Sequence, residues 1–404
     1  MQFSTFNFHP SIAAAVQKCG YETATPIQAQ TIPLLLEGKD LLGLAQTGTG
    51  KTAAFVLPTL QNLAPGNRGI IKALILTPTR ELAEQINDNI YKMAGDTGLR
   101  SCSVYGGVSK NTQLKQIREG VEIIVACPGR LLDLINGHSI DLSKIEVLIL
   151  DEADQMFDQG FLPDIRRIIK SVPQQRQSMV FSATMPKAIR HLAENILTDH
   201  ETVQVDYEKP ATSISHVLFP VPQSRKTALL KNILRHKDMT TTLIFTRTKY
   251  KAKNLARQLQ KSGLKATSLQ GNLSQNQRKK AMEGFRTGEF NILVATDIAA
   301  RGIDVTGISH VVNYDVPDTA EAFTHRTGRT GRADQTGEAY TFATTDDNRI
   351  IKMIERRLGG KIRRETLTNF DYSVQAQPQQ ARGLTRKKNI STPRKKRKNY
   401  QRAA

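Results

Sequence analysis

Short runs of apolar residues alternate with helix-like segments along most of the chain. Nearly continuous apolar runs of this length are typical of parallel strands buried on both faces and connected by helices. The runs are 73–76, 122–125, 147–150 and 179–181 in the first half and 242–245, 291–294, 310–313 and 339–342 in the second. Helices are predicted at 13–18 and at 82–93, the latter because Leu82, Ile86 and Ile90 recur at helical spacing. The pattern therefore predicts an α/β fold with two series of parallel strands.

A polar segment that contains Pro210 separates the two strand series at residues 206–216. We interpret this segment as a flexible hinge between two domains. The predicted organisation is an N-terminal segment at 1–30, a first domain at 31–206, a linker at 207–216, a second domain at 217–370 and a tail at 371–404. The tail is rich in Gln, Pro, Lys and Arg and poor in large apolar residues, a composition that predicts disorder.

The formal net charge of the chain is +20, which predicts a polyanionic partner. Ten of the 57 Lys and Arg residues, and none of the 37 Asp and Glu residues, lie in 372–404. Half of the excess charge therefore belongs to the tail, and half to the body of the protein. A basic, solvated surface is the alternative interpretation of the charge on the body.

Cysteine content and hydropathy indicate the cellular compartment in which the protein is expected to work. Cys19, Cys102 and Cys127 form no CxxC pair, and their odd number leaves at least one of them unpaired. This favours a reducing, cytoplasmic setting and makes a zinc site improbable. No apolar run reaches membrane-spanning length, and the first residues lack the basic and apolar regions of a secretion signal. We therefore expect a cytoplasmic protein without membrane contact.

A glycine-rich segment between an apolar run at 41–44 and an apolar, proline-free run at 53–57 resembles a phosphate-binding loop. Lys51 is placed to neutralise phosphate oxygens, and the hydroxyl of Thr52 to bind Mg²⁺. The strict pattern is missed at one position, because Ala45 stands where glycine is usual. Gly48-x-Gly50-x-x-Ala53 also fits a dinucleotide fingerprint, but the acidic residue that this alternative needs about twenty positions later is absent.

Two carboxylates follow the predicted strand at 147–150. Asp151 and Glu152 would lie at the carboxyl edge of a parallel sheet, where such sheets bind ligands. Asp151 is a candidate Mg²⁺ ligand, partly through water, and Glu152 a candidate for orienting or deprotonating an attacking water. The alternative is a helix N-terminus enriched in acids. A phosphate loop upstream favours the functional interpretation.

Three arginines, Arg326, Arg329 and Arg332, lie within seven residues in the second half. Guanidinium groups suit the dispersed charge of a phosphoryl group in transfer. A basic helix that faces nucleic acid or solvent is the alternative, and the spacing does not decide between them.

Together these motifs resemble those of the DEAD-box ATP-dependent RNA helicases, and among them the small bacterial members of the RhlE type. The resemblance extends from about Phe3 to about Phe342. It implies two tandem RecA-like domains with parallel sheets flanked by helices, and ATP, Mg²⁺ and RNA bound in the cleft between the domains.

The resemblance assigns residues to the nucleotide. Thr25 and Gln28 would read the adenine edge. Phe3 occupies the upstream aromatic position of the same motif, and Tyr21 would pack on the base. The phosphate loop comprises Ala45, Gln46, Thr47, Gly48, Thr49, Gly50, Lys51 and Thr52. Asp304 would contact the ribose beside Gly302, and Arg329 and Arg332 would be arginine fingers. Coupling between hydrolysis and unwinding is implied for Ser182, Thr184, His325 and Arg326.

The resemblance also assigns residues to the RNA backbone. These are Pro78, Thr79, Arg80, Gly107, Gly129 and Arg130 in the first domain, and Thr248, Gly271, Gln275, Arg278 and Thr296 in the second. Three positions depart from the family pattern: Cys127 replaces Thr, Gln270 replaces His and Thr327 replaces Ile. Cys127 lacks a hydroxyl for a phosphate contact, so we exclude it from the site.

The resemblance implies an active ATP-dependent RNA helicase that unwinds short duplexes or remodels RNA–protein complexes. RNA would be recognised without sequence preference, and the basic tail would tether it. An RNA clamp or annealing factor of the same fold and a DNA-directed motor are the alternatives. A P-loop kinase is a more distant one, since it leaves the arginine motif unexplained.

Overall fold

A computed structural model describes residues 1–46, 48–205, 214–236, 239–300, 307–331 and 336–373. Some predicted positions lie outside the described residues. They are Thr47, Gly302, Asp304, Arg332, most of the predicted linker and the tail from residue 374 onwards.

The first domain alternates strands and helices. Its strands are β1 (Leu41–Leu44), β2 (Ala73–Leu76), β3 (Ser101–Val104), β4 (Ile123–Ala126), β5 (Val147–Leu150), β6 (Gln177–Ser182) and β7 (Glu201–Gln204). Its helices are α1 (Pro10–Lys18), α2 (Pro26–Leu36), α3 (Lys51–Leu63), α4 (Arg80–Ala94), α5 (Lys110–Arg118), α6 (Pro128–Asn136), α7 (Ala153–Asp158), α8 (Leu162–Ile169) and α9 (Lys187–Ile196), with 3₁₀ turns at Phe3–Phe6 and Gly95–Thr97.

The strands of this domain form one parallel sheet in the order β3-β4-β2-β5-β6-β1-β7. Alternate residues of a central strand enter different apolar clusters: Ile149 of β5 packs on one face and Leu148 on the other. Burial on both faces explains why the central strands are almost wholly apolar. Phe3, Phe6 and Ile12 belong to the same cluster as Ile149, so the N-terminal segment is part of the first domain's core.

The second domain repeats this plan. Its strands are β8 (Ile214–Pro220), β9 (Thr242–Phe245), β10 (Ala266–Leu269), β11 (Ile292–Ala295), β12 (His310–Asn313), β13 (Gly337–Ala343) and β14 (Arg363–Arg364). Its helices are α10 (Lys226–His236), α11 (Lys249–Gln260), α12 (Gln275–Arg286), α13 (Asp297–Ala300), α14 (Ala320–Thr327) and α15 (Asn348–Leu358), with 3₁₀ turns at Gln223–Arg225 and Thr345–Asp347.

The second sheet is also parallel, in the order β10-β11-β9-β12-β13-β8-β14. β8 begins at Ile214, so residues 214–216 belong to this sheet and not to the predicted linker. The two sheets with their flanking helices confirm the predicted pair of RecA-like domains. None of the helices in the described part of the chain is both long enough and apolar enough to cross a membrane.

Candidate nucleotide and nucleic-acid site

The phosphate loop connects the end of β1 to the start of α3. Gly48 and Gly50 adopt left-handed φ values of 91° and 92°, which glycine accepts without strain. Lys51 is only 6% exposed, and its ammonium donates a hydrogen bond to the carbonyl of Ala45 at 2.7 Å. The half-buried Thr52 follows in the first turn of α3. The loop therefore presents a buried cation and a hydroxyl at a helix N-terminus, the arrangement that binds phosphate.

Thr25 and Gln28 hold this loop from the side. The Thr25 hydroxyl donates to the carbonyl of Thr49 at 2.8 Å, and the Gln28 amide donates to the carbonyl of Gly50 at 3.1 Å. The side-chain oxygen of Gln28 accepts from the backbone N–H of Thr25 at 2.9 Å and caps α2. Both predicted adenine-reading residues are thus bonded to the phosphate loop.

The aromatic pair near the N-terminus has one buried and one partly exposed member. The ring of Phe3 is 4% exposed and lies 5.3 Å from the ring of Tyr21 in an edge-on arrangement. Tyr21 is half-buried. Phe3 therefore supports Tyr21 from the core, and Tyr21 is the more exposed ring of the pair.

Asp151 and Glu152 follow β5 and are both buried. Glu152 has a left-handed φ of 51°, an uncommon conformation for a residue with a side chain, and this backbone turn precedes α7. Its N–H donates to the Asp151 carboxylate at 2.9 Å, whereas its own Oε2 is buried without a hydrogen-bond partner among the described residues. Burial raises the pKa of the Asp151 carboxyl to about 7, against the opposing charge of Lys51.

Two adjacent buried carboxylates near a single lysine are short of positive charge, and this deficit fits a divalent cation. Asp151 and Thr52 are the residues that would hold Mg²⁺ together with the phosphates of a bound nucleotide. The described residues contain no cluster of three or more His, Cys, Asp or Glu side chains able to hold a metal by itself.

Asp154 ends the Asp151-Glu152-Ala153-Asp154 motif that follows β5, and our sequence analysis assigned it no role of its own. Its Oδ2 accepts hydrogen bonds from the backbone N–H and the hydroxyl of Thr184 at 3.0 and 2.9 Å. Ser182 completes the connection, since its hydroxyl donates to the carbonyl of Thr184 at 2.6 Å. These hydrogen bonds connect the end of β6 to α7, next to the adjacent carboxylates. Its position at the end of the Asp151–Asp154 motif was the available signal.

The two domains meet beside these residues. The Gln155 side-chain amide lies 3.0 Å from Nδ1 of His325, which projects from α14 of the second domain. His325 and Thr184 also line one small pocket together with Gln46 of the phosphate loop. The predicted coupling residues of the two domains are thus brought together, and Gln155 joins them.

The side chain of Arg326 contacts residues of its own domain, the second one. Its guanidinium is 3% exposed and pairs with the Asp297 carboxylate through Nε at 2.5 Å and Nη2 at 2.7 Å. It also donates to the carbonyl of Asp315 at 2.7 Å and packs on the ring of Phe245. Arg326 therefore fixes α14, whereas the nearby Arg329 lines a pocket with Gln155 at the domain boundary.

Arg80 and Gly107 form one unit at the carboxyl edge of the first sheet. Gly107 has a φ of +86°, and a Cβ added to it would overlap the Arg80 guanidinium. Arg80 is half-buried and begins α4, which Thr79 caps by accepting from the N–H of Leu82 at 3.3 Å. The positive φ at position 107 favours glycine, and the missing Cβ leaves room for the Arg80 guanidinium in its present position.

Arg130 is bonded inside the first domain. Its two terminal nitrogens donate to the carbonyl of Val108 at 3.3 Å, and Nη1 also donates to Gln113 at 3.0 Å. It therefore holds the loop that follows Gly107. Cys127 precedes α6 at its N-cap position, where its side chain makes no capping hydrogen bond. Burial raises the pKa of its thiol to about 12, so the thiol stays neutral.

In the second sheet, three strand ends are in register, because Phe245 of β9 pairs with Ala295 of β11, which pairs with Leu269 of β10. The predicted RNA-contacting residues Thr248, Gly271 and Thr296 follow these strand ends. They therefore share one edge of the sheet, with Thr248 capping α11 and Gly271 exposed.

Arg278 reaches the first domain. Its Nε lies 2.6 Å from Oε1 of Glu81, and the two side chains are 9% and 12% exposed. Gln275 precedes it on α12, with a buried Oε1 that has no partner among the described residues. Both side chains border a cleft of about 510 Å³ between α4 and α12. Glu81, which our sequence analysis missed, makes Arg278 a contact between domains.

Two protein-family models match this chain. The model for the DEAD/DEAH box helicase matches residues 25–192, and the model for the helicase conserved C-terminal domain matches residues 225–334. The chain belongs to the DEAD-box ATP-dependent RNA helicases. These two matches cover the phosphate loop, the Asp151–Asp154 motif and the arginine motif that contains Arg326, Arg329 and Arg332.

Two helicase relatives carry the name CshA. The ATP-dependent RNA helicase CshA of Limosilactobacillus reuteri is 42% identical over 88% of this chain and 72% of its own length. The DEAD-box ATP-dependent RNA helicase CshA of Bacillus subtilis is 40% identical over 93% of this chain and 76% of its own length. The predicted closeness to the RhlE type is not confirmed by these relatives and stays a prediction.

Two solved DEAD-box structures differ in how well they superpose on the whole chain. Saccharomyces cerevisiae Dbp5 bound to RNA and ADP BeF3 is 30% identical and gives a TM-score of 0.81 over 90% of this chain and 95% of its own. A DEAD box protein from Methanococcus jannaschii is 35% identical over 91% of this chain and 99% of its own, yet its TM-score is 0.54. The TM-score of 0.81 over 90% of this chain, which includes both domains, indicates that their relative placement resembles that in Dbp5.

Proposed function

We propose that this helicase hydrolyses ATP in an RNA-stimulated reaction and uses it to separate short RNA duplexes locally. The observation that carries the proposal is the pair of contacts across the domain boundary, Gln155–His325 and Glu81–Arg278. The first lies beside the nucleotide motifs, and the second beside the predicted RNA residues. The domain placement of Dbp5 bound to RNA and ADP BeF3 supports the same conclusion.

Each nucleotide-side residue has a role that follows from its position. Lys51 neutralises phosphate oxygens, and Thr25 and Gln28 transmit base binding to the phosphate loop that they hold. Glu152, whose buried Oε2 has no hydrogen-bond partner among the described residues, orients the attacking water and accepts its proton. Thr52 and Asp151 would hold Mg²⁺, which would supply positive charge next to the phosphates. Arg329, with Arg332 from outside the described residues, supplies positive charge from the second domain when the cleft closes.

RNA is held mainly through its sugar–phosphate backbone. The predicted contacts occupy one edge of each sheet, at Arg80 and Gly107 in the first domain and at Thr248, Gly271 and Thr296 in the second. Backbone recognition predicts little sequence preference and strong salt dependence. Arg130 and Arg278 act indirectly in this scheme, by holding the Gly107 loop and by joining the domains. The tail tethers RNA nonspecifically, and the protein works in the cytoplasm.

Measurement of ATP turnover with and without RNA tests this function. We expect RNA to stimulate hydrolysis and ATP to be required for displacement of a strand from a short duplex. Stimulation without displacement, or ATP-dependent annealing, would favour the clamp or annealing alternative. Stronger stimulation by DNA than by RNA would favour a DNA-directed motor.

A further inference from the structure

Helix α11 carries a row of cations that none of the roles above uses. Lys249, Lys253, Arg257 and Lys261 recur every four residues along the helix and its C-cap, and all four are exposed. We call these four residues the α11 ridge. At about 1.5 Å per residue the ridge is roughly 18 Å long, with a positive charge about every 6 Å.

The positive charges of the ridge are not paired with acidic residues in the described part of the chain. None of its four side chains forms an ion pair with an acidic residue among the described residues, and α11 contains no Asp or Glu. Like charges four residues apart repel each other on a helix surface. Three successive repulsive pairs on one helix are a cost to folding that an external polyanion would remove.

The ridge starts at the predicted RNA edge. α11 begins directly after Thr248, at the edge of the sheet shared with Gly271 and Thr296. Its apolar side, including Leu255 and Leu259, packs on the sheet, so the helix runs from that edge back along the face of the sheet with its cations facing solvent. RNA that leaves the cleft on this side would meet the ridge.

One exposed aromatic residue stands at the cleft end of the ridge. Tyr250 is 65% exposed, and the ammonium of Lys249 lies 5.4 Å from the centre of its ring. Surfaces that bind single strands usually combine cations with several stacking aromatics. Beyond Tyr250 the ridge offers cations alone at regular spacing on a rigid helix, which suits the phosphates of double-helical RNA, recognised by shape and backbone.

We propose that the α11 ridge binds the phosphate backbone of an RNA duplex that adjoins the single strand in the cleft, with Tyr250 stacking where the duplex ends. The proposal rests on the proposed RNA-dependent function and extends it to a second surface. It gives the second domain a means of holding a duplex next to the strand being separated.

The test compares two RNAs in the full chain. One is a single strand that spans only the cleft, and the other is the same strand continued into a hairpin duplex. The ridge variant carries Lys253→Gln, Arg257→Gln and Lys261→Gln. Its matched control carries Arg349→Gln, Lys352→Gln and Arg356→Gln, three exposed cations of α15.

We expect the ridge variant to lose the tighter binding of the hairpin RNA. Its plot of log affinity against log salt concentration should become shallower by roughly two to three for that RNA only. Binding of the short strand, and turnover at saturating short strand, should match the unmodified protein. A variant with Lys253→Arg and Lys261→Arg keeps the charge and should keep the hairpin preference.

Unchanged hairpin affinity and salt dependence would overturn the proposal and leave the ridge as a solvated face or a site for an acidic protein. Equal losses for both RNAs, or an equal loss in the α15 control, would also overturn it. Failure of the short strand to stimulate hydrolysis by the unmodified protein would instead count against the proposed function.

Discussion

At the scale of single residues, Glu152 has the clearest chemical assignment. It is buried, its backbone is held in a left-handed conformation, and one carboxylate oxygen has no partner in the described part of the chain. These features are typical of a side chain that interacts with a ligand and does not serve to stabilise the fold. Asp151 and Glu152 are neighbours in the chain, and the N–H of Glu152 donates to the Asp151 carboxylate. The two adjacent carboxylates are nevertheless proposed to have different roles.

Glu152→Gln should retain ATP binding but hydrolyse it roughly 100-fold or more slowly, since a general base typically contributes about 10²–10⁴-fold. The amide keeps the size of the side chain and loses the proton acceptor. Single-turnover hydrolysis and equilibrium nucleotide binding measure the two effects separately. Glu146→Gln, at a surface ion pair with Lys72, is the control and should be neutral. Turnover near that of the unmodified protein would remove Glu152 from the role of base.

Gly107→Ala should weaken RNA binding. The added Cβ requires a left-handed φ that costs about 1–2 kcal/mol and displaces the Arg80 guanidinium from its position. Gly263→Ala is a matched control, because Gly263 has a similar φ of +81° and nothing within 4 Å of the added Cβ. Both variants should lose similar stability in thermal unfolding, but only Gly107→Ala should lose RNA affinity. Equal RNA affinity in the two variants would contradict a role for the Arg80–Gly107 unit.

At the scale of secondary-structure elements, the sequence was most informative where burial is complete on both faces. The predicted run at 147–150 matches β5, and the predicted helix at 82–93 lies within α4. Strands nearer the sheet edges were missed, among them β3, β7 and β10. They alternate polar and apolar residues or are largely exposed, so continuous hydrophobicity does not mark them.

The site was predictable where a motif is contiguous and less so where contacts are long-range. The phosphate loop and the Asp151–Glu152 pair were identified from local sequence. Glu81 and Gln155 were missed because their partners lie 197 and 170 residues away, across the domain boundary. No local pattern records such a pairing. The same reasoning explains why Arg278 was predicted to contact RNA while the structure pairs it with Glu81.

A carboxylate from α13 forms the ion pair that holds Arg326 of α14. Asp297→Asn removes the charge that pairs with the buried Arg326 guanidinium, at a cost of about 2 kcal/mol. We expect a lower thermal midpoint and a larger loss of RNA-stimulated turnover, because His325 and Arg329 are carried by the same motif. Nucleotide binding to the first domain should persist. Asp318→Asn, at an exposed ion pair with Arg247, is the control and should change neither property appreciably; matching effects in the two variants would contradict this prediction.

At the scale of the whole molecule, the basic tail is expected to add affinity without taking part in catalysis. Removing residues 382–404 deletes all ten of the tail's cations and no acidic residue. RNA affinity should fall, and its salt dependence should flatten by about 0.7 per lost phosphate contact on single strands. Basal ATP turnover should be unchanged. Binding isotherms at several salt concentrations measure the effect, and an unaltered affinity would reject the tether.

Closure of the two domains is the last property that the structure makes testable. The Glu81–Arg278 pair joins α4 to α12 and is largely buried, so breaking one partner leaves an uncompensated charge at the boundary. Arg278→Glu should place two carboxylates opposite each other and strongly reduce RNA-stimulated turnover, with basal turnover retained. Glu81→Arg should do the same.

Combining Glu81→Arg with Arg278→Glu separates a contact between domains from a direct contact with RNA. If the pair acts between the domains, the swapped charges attract again, and the double variant should recover part of the lost turnover. Buried charge pairs in close contact couple by about 2 kcal/mol or more, equivalent to a recovery of over tenfold. If Arg278 instead bound RNA directly, a glutamate there would repel phosphate whatever residue 81 carried, and the double variant would be no better than Arg278→Glu. Turnover measured with saturating RNA, alongside fluorescence energy transfer between the domains, therefore decides whether this ion pair holds the closed arrangement.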